Sequence, residues 1–399
     1  MRSYISERLE HIEPSKTVEL TTKIARLREA GEHIIGLNVG EPDFATPEHI
    51  SQAAAKAMEE NFTKYTPVMG IRELREAICD KFREENGILY EPDQITIGAG
   101  AKQCLYAALL AICNEGDEII IPTPCWVSYK ELVKMAGGVP VTVPCKEDFS
   151  LDLDAIEAAV TDKTKGIMIN TPNNPTGAVY TEDELEGLAR IVCAHDLCVI
   201  SDEVYERLTY GTDGHVSIAS LSEEMKERTI LVNSFSKTYA MTGWRLGYLA
   251  ATREIVKAVN VMQSQMVSSV HSLSQKAGIA ALKGSQEPVE NMRKAYEERR
   301  DYLHGRLCQI EGIKCLKSEG AFYLLPDVSA YYGKKWKDQM IKDDIDVAQY
   351  ILEEAHVAVV PGTAFLAPGH LRFTYAAAME ELKAAMNQIE RALKKLGTA

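Results

Sequence analysis

Lys237 lies in the run Ser234-Phe235-Ser236-Lys237-Thr238-Tyr239-Ala240-Met241-Thr242-Gly243-Trp244-Arg245, directly after one serine and three positions after another. Arg245 follows behind a glycine, and the apolar run Ile230-Leu231-Val232 leads in as a buried strand. A primary amine condenses with an aldehyde to a Schiff base, while hydroxyls and a guanidinium suit a phosphate. The cluster therefore fits an amine nucleophile beside an anchored carbonyl cofactor. A lone lysine after a strand is ordinarily a surface residue, so the assignment depends on its flanks and on motifs elsewhere.

Gly98-Ala99-Gly100-Ala101-Lys102-Gln103 follows a strand and opens a helix. Small residues there let backbone N–H groups and the helix dipole approach a phosphate. Gln103 stands where a dinucleotide fingerprint has its third glycine. Asn174, in Asn173-Asn174-Pro175-Thr176-Gly177, offers an amide to a cofactor oxygen. Asp202, in Asp202-Glu203-Val204-Tyr205, is a strand-end carboxylate that needs a cationic partner such as a pyridinium nitrogen. Tyr205 would then reach the ring hydroxyl; alone, Asp202 reads better as a helix N-cap. Trp126 suits stacking on a flat ring, although an isolated tryptophan is more often core. Arg372 interrupts the apolar strand Leu371 to Tyr375, where its planar fork fits either a substrate carboxylate or a protein one. Gly40 ends the run Ile34 to Val39 and suggests a tight backbone crossing.

Strands must carry these groups. Between residues 95 and 251, apolar strand candidates alternate with helical stretches, which predicts an α/β domain with a mainly parallel sheet. Ligands gather at the carboxyl ends of such strands, where nearly every suggestive residue falls. Residues 252–310 read as strongly helical. The remainder reads as a smaller α+β domain (strands Ala321 to Leu325, Val357 to Val360, Leu371 to Tyr375; helices Asp344 to Glu354, Glu380 to Leu396), joined in space by the N-terminal segment. The expected division is a large cofactor-binding domain over 46–300 and a small domain built from 1–45 and 301–399.

The chain has 399 residues and a net charge of −14, which argues against nucleic acid or an anionic membrane as a bulk partner. Its opening residues are too polar for a secretory signal, and no apolar run reaches membrane-spanning length. Nine cysteines without a CxxC pair predict reduced core thiols, no metal site and a cytoplasmic location.

As an ordered set over the whole chain, the motifs resemble the class I aminotransferases, the fold-type I pyridoxal-phosphate (PLP) enzymes, and most closely their bacterial-type aspartate aminotransferases. That resemblance implies a Schiff base between Lys237 and PLP, Asp202 on the pyridine nitrogen, Tyr205 and Asn174 on the 3′-oxygen, and Trp126 stacked on the ring. It implies a phosphate site from Ser234, Ser236, Arg245 and the Gly100-Ala101-Lys102 backbone, completed by Tyr65 of a second subunit in a homodimer. Arg372 would clamp the substrate α-carboxylate, with Asn174 and Gly40 nearby. The region around Gln265 to Ser272 lacks the arginine that many aspartate aminotransferases use for the side-chain carboxylate. The bacterial-type subgroup uses a lysine and two hydroxyls at the positions of Lys102, Ser15 and Thr17. The implied reaction is transfer of the amino group of L-aspartate to 2-oxoglutarate by a ping-pong mechanism. Aromatic or neutral amino acids, or prephenate, are the alternative substrates. Glu13 beside the pocket segment disfavours prephenate. A PLP-dependent lyase and a ligand-sensing regulator of the same fold are more distant readings.

Overall fold

The computed structural model describes residues 4–14, 16–211 and 214–396, without the side chains of residues 7, 8 and 16–18. Ser15 and the side chain of Thr17 therefore lie outside the described residues.

Seven strands form the main sheet: β1 (Ile95–Gly98), β2 (Glu118–Thr123), β3 (Val139–Pro144), β4 (Thr164–Asn170), β5 (Cys198–Asp202), β6 (Thr229–Ser234) and β7 (Gly247–Ala250). Their spatial order is β1-β7-β6-β5-β4-β2-β3. β7 runs antiparallel to both neighbours and the other pairs are parallel, so β7 alone reverses in a mixed, mainly parallel sheet. The apolar runs are continuous because both faces are covered. Ile119, Ile121, Met168 and Ile200 enter one core while Ile120, Ile167, Ile169 and Val199 enter another, as a period of two requires.

A second sheet holds β8 (Tyr323–Leu324), β9 (Val360–Pro361) and β10 (Leu371–Thr374) in the antiparallel order β9-β10-β8. Its core includes Phe373, Leu382 and Ile389, together with Met292, Tyr296, Leu303 and Leu307 from the helix Glu287–Cys308. Val289 of that helix packs instead in the core with Ile95 and Tyr248, so one 22-residue helix ties the two sheets together. The run Val357 to Val360 is divided. Val357–Ala358 pairs in parallel with Ile35–Gly36, and Val360–Pro361 pairs with β10. Residues near the N-terminus are thus stitched to the C-terminal part, and Leu37 accepts a backbone hydrogen bond from Thr374 at 3.0 Å. No helix among the described residues is long and apolar enough to cross a membrane.

β7 sets the height of the helix Ala101–Ile112 above the sheet. A Cβ at Gly247 would lie 2.7 Å from the Ala101 nitrogen and 2.7 Å from the Gly100 carbonyl carbon, both backbone atoms. Gly247→Ala is therefore expected to destabilise the protein by about 1–3 kcal/mol through overpacking. Urea unfolding measures this, and an unchanged midpoint would refute the close approach.

Candidate active site

The carboxyl ends of the parallel strands open onto one cavity of about 370 Å³. It gathers Gly40, Ala101, Lys102, Trp126, Asn174, Asp202, Tyr205, Ser234, Ser236, Lys237, Arg245 and Arg372 from positions more than 300 residues apart. Gly100 stands just behind them: at φ +84°, a Cβ there would meet the Arg245 guanidinium at 2.5 Å. Tyr65 is 91% exposed and lies outside this cavity within its own chain.

Lys237 sits on the four-residue helix Phe235–Thr238 that follows β6. Ser234 caps that helix, its hydroxyl accepting from the Ser236 N–H at 3.3 Å. The turn is supported from below. The Asn233 side chain accepts from the Ser234 N–H at 2.7 Å and donates to Glu206 at 2.6 Å, and Glu206 is itself paired with the buried Lys81. The Lys237 ammonium donates to the Gly40 carbonyl. Burial, with Arg372 and Arg245 adding to it against the pull of Glu41, brings its pKa down to about 8. A burial of this kind favours the neutral, nucleophilic amine.

Asp202 ends β5 and is buried, which overturns the N-cap reading of this residue: it belongs to a strand, and no helix starts there. Its Oδ2 accepts from the Tyr129 hydroxyl at 2.6 Å and its Oδ1 from the Val204 N–H at 3.4 Å. Burial raises its carboxyl to about 6 despite those two donors. No cation among the described residues pairs with it at ion-pair distance, so the site has room for one from a ligand. Tyr129 stands three residues after Trp126, and the two rings meet edge to face at 5.4 Å. Trp126 is half-buried with its ring on the cavity rather than sealed in the core.

Arg372 on β10 is buried at 3% exposure and held between the Tyr323 and Phe365 rings, 4.5 and 4.7 Å from their centres. Its Nη1 donates to the Asn174 side-chain oxygen at 3.0 Å and its Nη2 to the Asn38 carbonyl at 2.7 Å, while the buried Nε has no partner. No described carboxylate pairs with it, which removes the protein salt bridge as an explanation. Asn174 is oriented in turn by its N–H donating to the Asn170 side chain at 2.8 Å, and Asn170 also donates to the Asp202 carbonyl at 2.9 Å. With its oxygen on Arg372, Asn174 keeps Nδ2 for the cavity.

These groups fit pyridoxal phosphate. The start of the helix Ala101–Ile112 and the hydroxyls of Ser234 and Ser236 suit its phosphate. Arg245 completes that end, held by the carbonyls of Thr242 at 2.8 Å and Ala99 at 3.3 Å. The carboxylate of Asp202, without an ion-pair partner among the described residues, suits a pyridinium, and Trp126 suits a flat ring. Lys102 projects at the mouth with its ammonium 4.7 Å from the Trp126 ring centre.

Cavity residues that the sequence motifs did not single out include Thr21, Asn38, Tyr129, Asn170 and Tyr323. Asn170 ends an apolar run and Asn38 interrupts one, a signal that could have found them. Tyr129 and Tyr323 carry no such local mark.

Known proteins resemble this chain throughout. The profile of the family described as aminotransferase class I and II matches residues 32–390. The aspartate aminotransferase of Geobacillus stearothermophilus is 45% identical over 97% of this chain and 98% of its own length. The probable aspartate/prephenate aminotransferase of Aquifex aeolicus is 45% identical over 99% of this chain and all of its own. The solved aspartate aminotransferase of Thermus thermophilus with maleate superposes with a TM-score of 0.92 at 42% identity, covering 98% of this chain and 100% of that one. With a lysine and a buried aspartate at the carboxyl ends of the seven-stranded sheet, a buried arginine from the second sheet facing the same cavity, and a family profile matched over residues 32–390, the chain belongs to the class I and II aminotransferase family.

Proposed function

We propose that the protein is a pyridoxal-phosphate-dependent aspartate aminotransferase, moving the amino group of L-aspartate to 2-oxoglutarate to give oxaloacetate and L-glutamate by a ping-pong mechanism. The observation that carries this reading is Arg372, a buried guanidinium set against two rings with no carboxylate among the described residues paired to it. A substrate α-carboxylate supplies that charge, across the cavity from Lys237.

When bound, the cofactor supplies an aldehyde carbon for the amino acid's nitrogen and a pyridinium ring that stabilises negative charge at the substrate Cα. Asp202 holds the proton on the ring nitrogen, braced by the Tyr129 hydroxyl. Tyr205 and the Asn174 amide donate to the ring's 3′-oxygen. Ser234, Ser236, Arg245 and the backbone from Gly100 to Lys102 bind the phosphate, and Trp126 covers the ring. Lys237 would be the base that lifts the proton from Cα; a lowered pKa suits that task. Arg372, with Asn174 and the Gly40 backbone beside it, fixes the carboxylate so that the Cα–H bond faces the lysine.

Lys102 at the mouth supports a second substrate carboxylate, with Ser15 and Thr17 as the expected hydroxyl donors. The names of the Geobacillus and Thermus relatives, and maleate in the latter, agree with a dicarboxylate. The Aquifex relative's name favours prephenate as a second substrate. Glu13, whose backbone N–H donates to Glu131 at 3.0 Å, is the extra carboxylate set against it. A homodimer with shared active sites belongs to the same reading and is supported by the exposure of Tyr65, which would complete the partner's phosphate site. So do a cytoplasmic location and a division into a large domain over 46–300 and a small one from 1–45 and 301–399.

An amino-donor panel against 2-oxoglutarate is expected to place aspartate first; equal rates with leucine or phenylalanine would overturn the substrate choice. Lys102→Ala is expected to lower kcat/KM for aspartate by roughly 10- to 100-fold, the range for a lost hydrogen bond to a charged group, while leaving neutral donors unchanged. Persistence of aspartate turnover would remove Lys102 from the site. In cofactor-free protein, borohydride trapping of an added aldehyde on Lys237 should rise with pH around a midpoint of about 8. The sign follows from a depressed amine pKa, because the reactive neutral form accumulates above it. A midpoint near the ordinary lysine value of about 10.4 would contradict the burial argument.

A further inference from the structure

Tyr323 is fully buried on β8 yet lines the cavity, and its hydroxyl meets the Tyr205 hydroxyl at 2.9 Å. Its ring lies against the Arg372 guanidinium, and a Cβ at Gly40 would stand 2.7 Å from its oxygen. Two phenols joined by one hydrogen bond hold two protons, one inside the bond and one left to donate elsewhere. For Tyr205 to give its proton to an anionic oxygen in the cavity, Tyr323 must be the donor within the pair. Burial pushes both phenols up in pKa, so each hydroxyl keeps its proton, and at 2.9 Å either can donate to the other; the direction follows from where Tyr205 sends its own proton. Arg372 also pulls on both, and Asp202 is the other charged group acting on Tyr205.

We infer that Tyr323 is a positioning residue whose hydroxyl donates to Tyr205 and so strengthens and aims the hydrogen bond Tyr205 gives to the cofactor's 3′-oxygen, while its ring separately braces Arg372. The inference rests on the pyridoxal-phosphate reading above. A donor that itself accepts a hydrogen bond donates more strongly, by roughly 10–30%. On a charge-assisted bond this corresponds to roughly 0.1–0.6 pH unit in the titration of the group it stabilises. The 3′-oxygen gains most from an outside donor once the neighbouring Lys237 nitrogen has lost its proton. Loss of that donor therefore moves the titration of the yellow chromophore to higher pH.

The test is a spectroscopic pH titration of cofactor-loaded wild type, Tyr323→Phe, Tyr205→Phe and the double variant, with maleate affinity measured beside it. Tyr323→Phe should raise the midpoint by roughly 0.1–0.6 pH unit with maleate affinity retained, because the ring remains. Tyr205→Phe should raise it more, and the double variant should match Tyr205→Phe alone. Tyr323→Leu, which also lacks the hydroxyl, should show the same rise with weakened maleate binding, and it supplies the midpoint if the phenylalanine variant does not fold. An unchanged or lowered midpoint without the Tyr323 hydroxyl, or additive shifts in the double variant, would overturn the inference. A wild type that forms no Lys237-dependent chromophore would overturn the cofactor reading first, and this inference with it.

Discussion

A carboxylate buried at the carboxyl end of the central strand, with no ion-pair partner among the described residues, is the constraint from which the site follows. Removing Asp202 from water is costly unless a positive charge or strong donors compensate. The protein supplies the Tyr129 hydroxyl and one longer backbone N–H, and these leave the carboxyl raised to about 6. A cationic ring placed against it would reverse that shift, so the energy of burying the acid is recovered when the cofactor is held. Asp202 and the pyridinium then each depend on the other for charge.

Arg372 repeats the arrangement with the opposite sign. Its guanidinium is desolvated and set against the Tyr323 and Phe365 rings, and its buried Nε has no hydrogen-bond partner. The two unpaired charges come from different sheets. Asn170 and Asn174 connect them, one amide touching the Asp202 carbonyl and the other the arginine. A shift between the sheets would therefore disturb the cofactor end and the substrate end together. The helix Glu287–Cys308, packed into both cores, limits such a shift.

Much of this was legible in the sequence because both faces of the main sheet are buried, so that β2, β4, β5 and β6 appear as unbroken apolar runs with a chemically unusual residue at each end. Lys237, Asp202 and Arg372 stood out as charges placed where charge is expensive. Long-range pairing was less accessible. The single run Val357 to Val360 serves two different partners, and nothing in its periodicity records the division. Tyr129 and Tyr323 look like ordinary core tyrosines. Their hydroxyls acquire meaning only from acceptors 73 and 118 positions away. Tyr65 is exposed outside the cavity of its own chain, and its assignment depends on a second copy.

The most direct measurement of the central claim is the protonation state of the ring nitrogen, read by nitrogen-15 magnetic resonance of isotope-labelled pyridoxal phosphate bound to the enzyme near neutral pH. With Asp202 in place the nitrogen should be protonated, and with Asp202→Ala it should not. An unprotonated ring nitrogen in the wild-type enzyme would contradict the pairing on which the site is built.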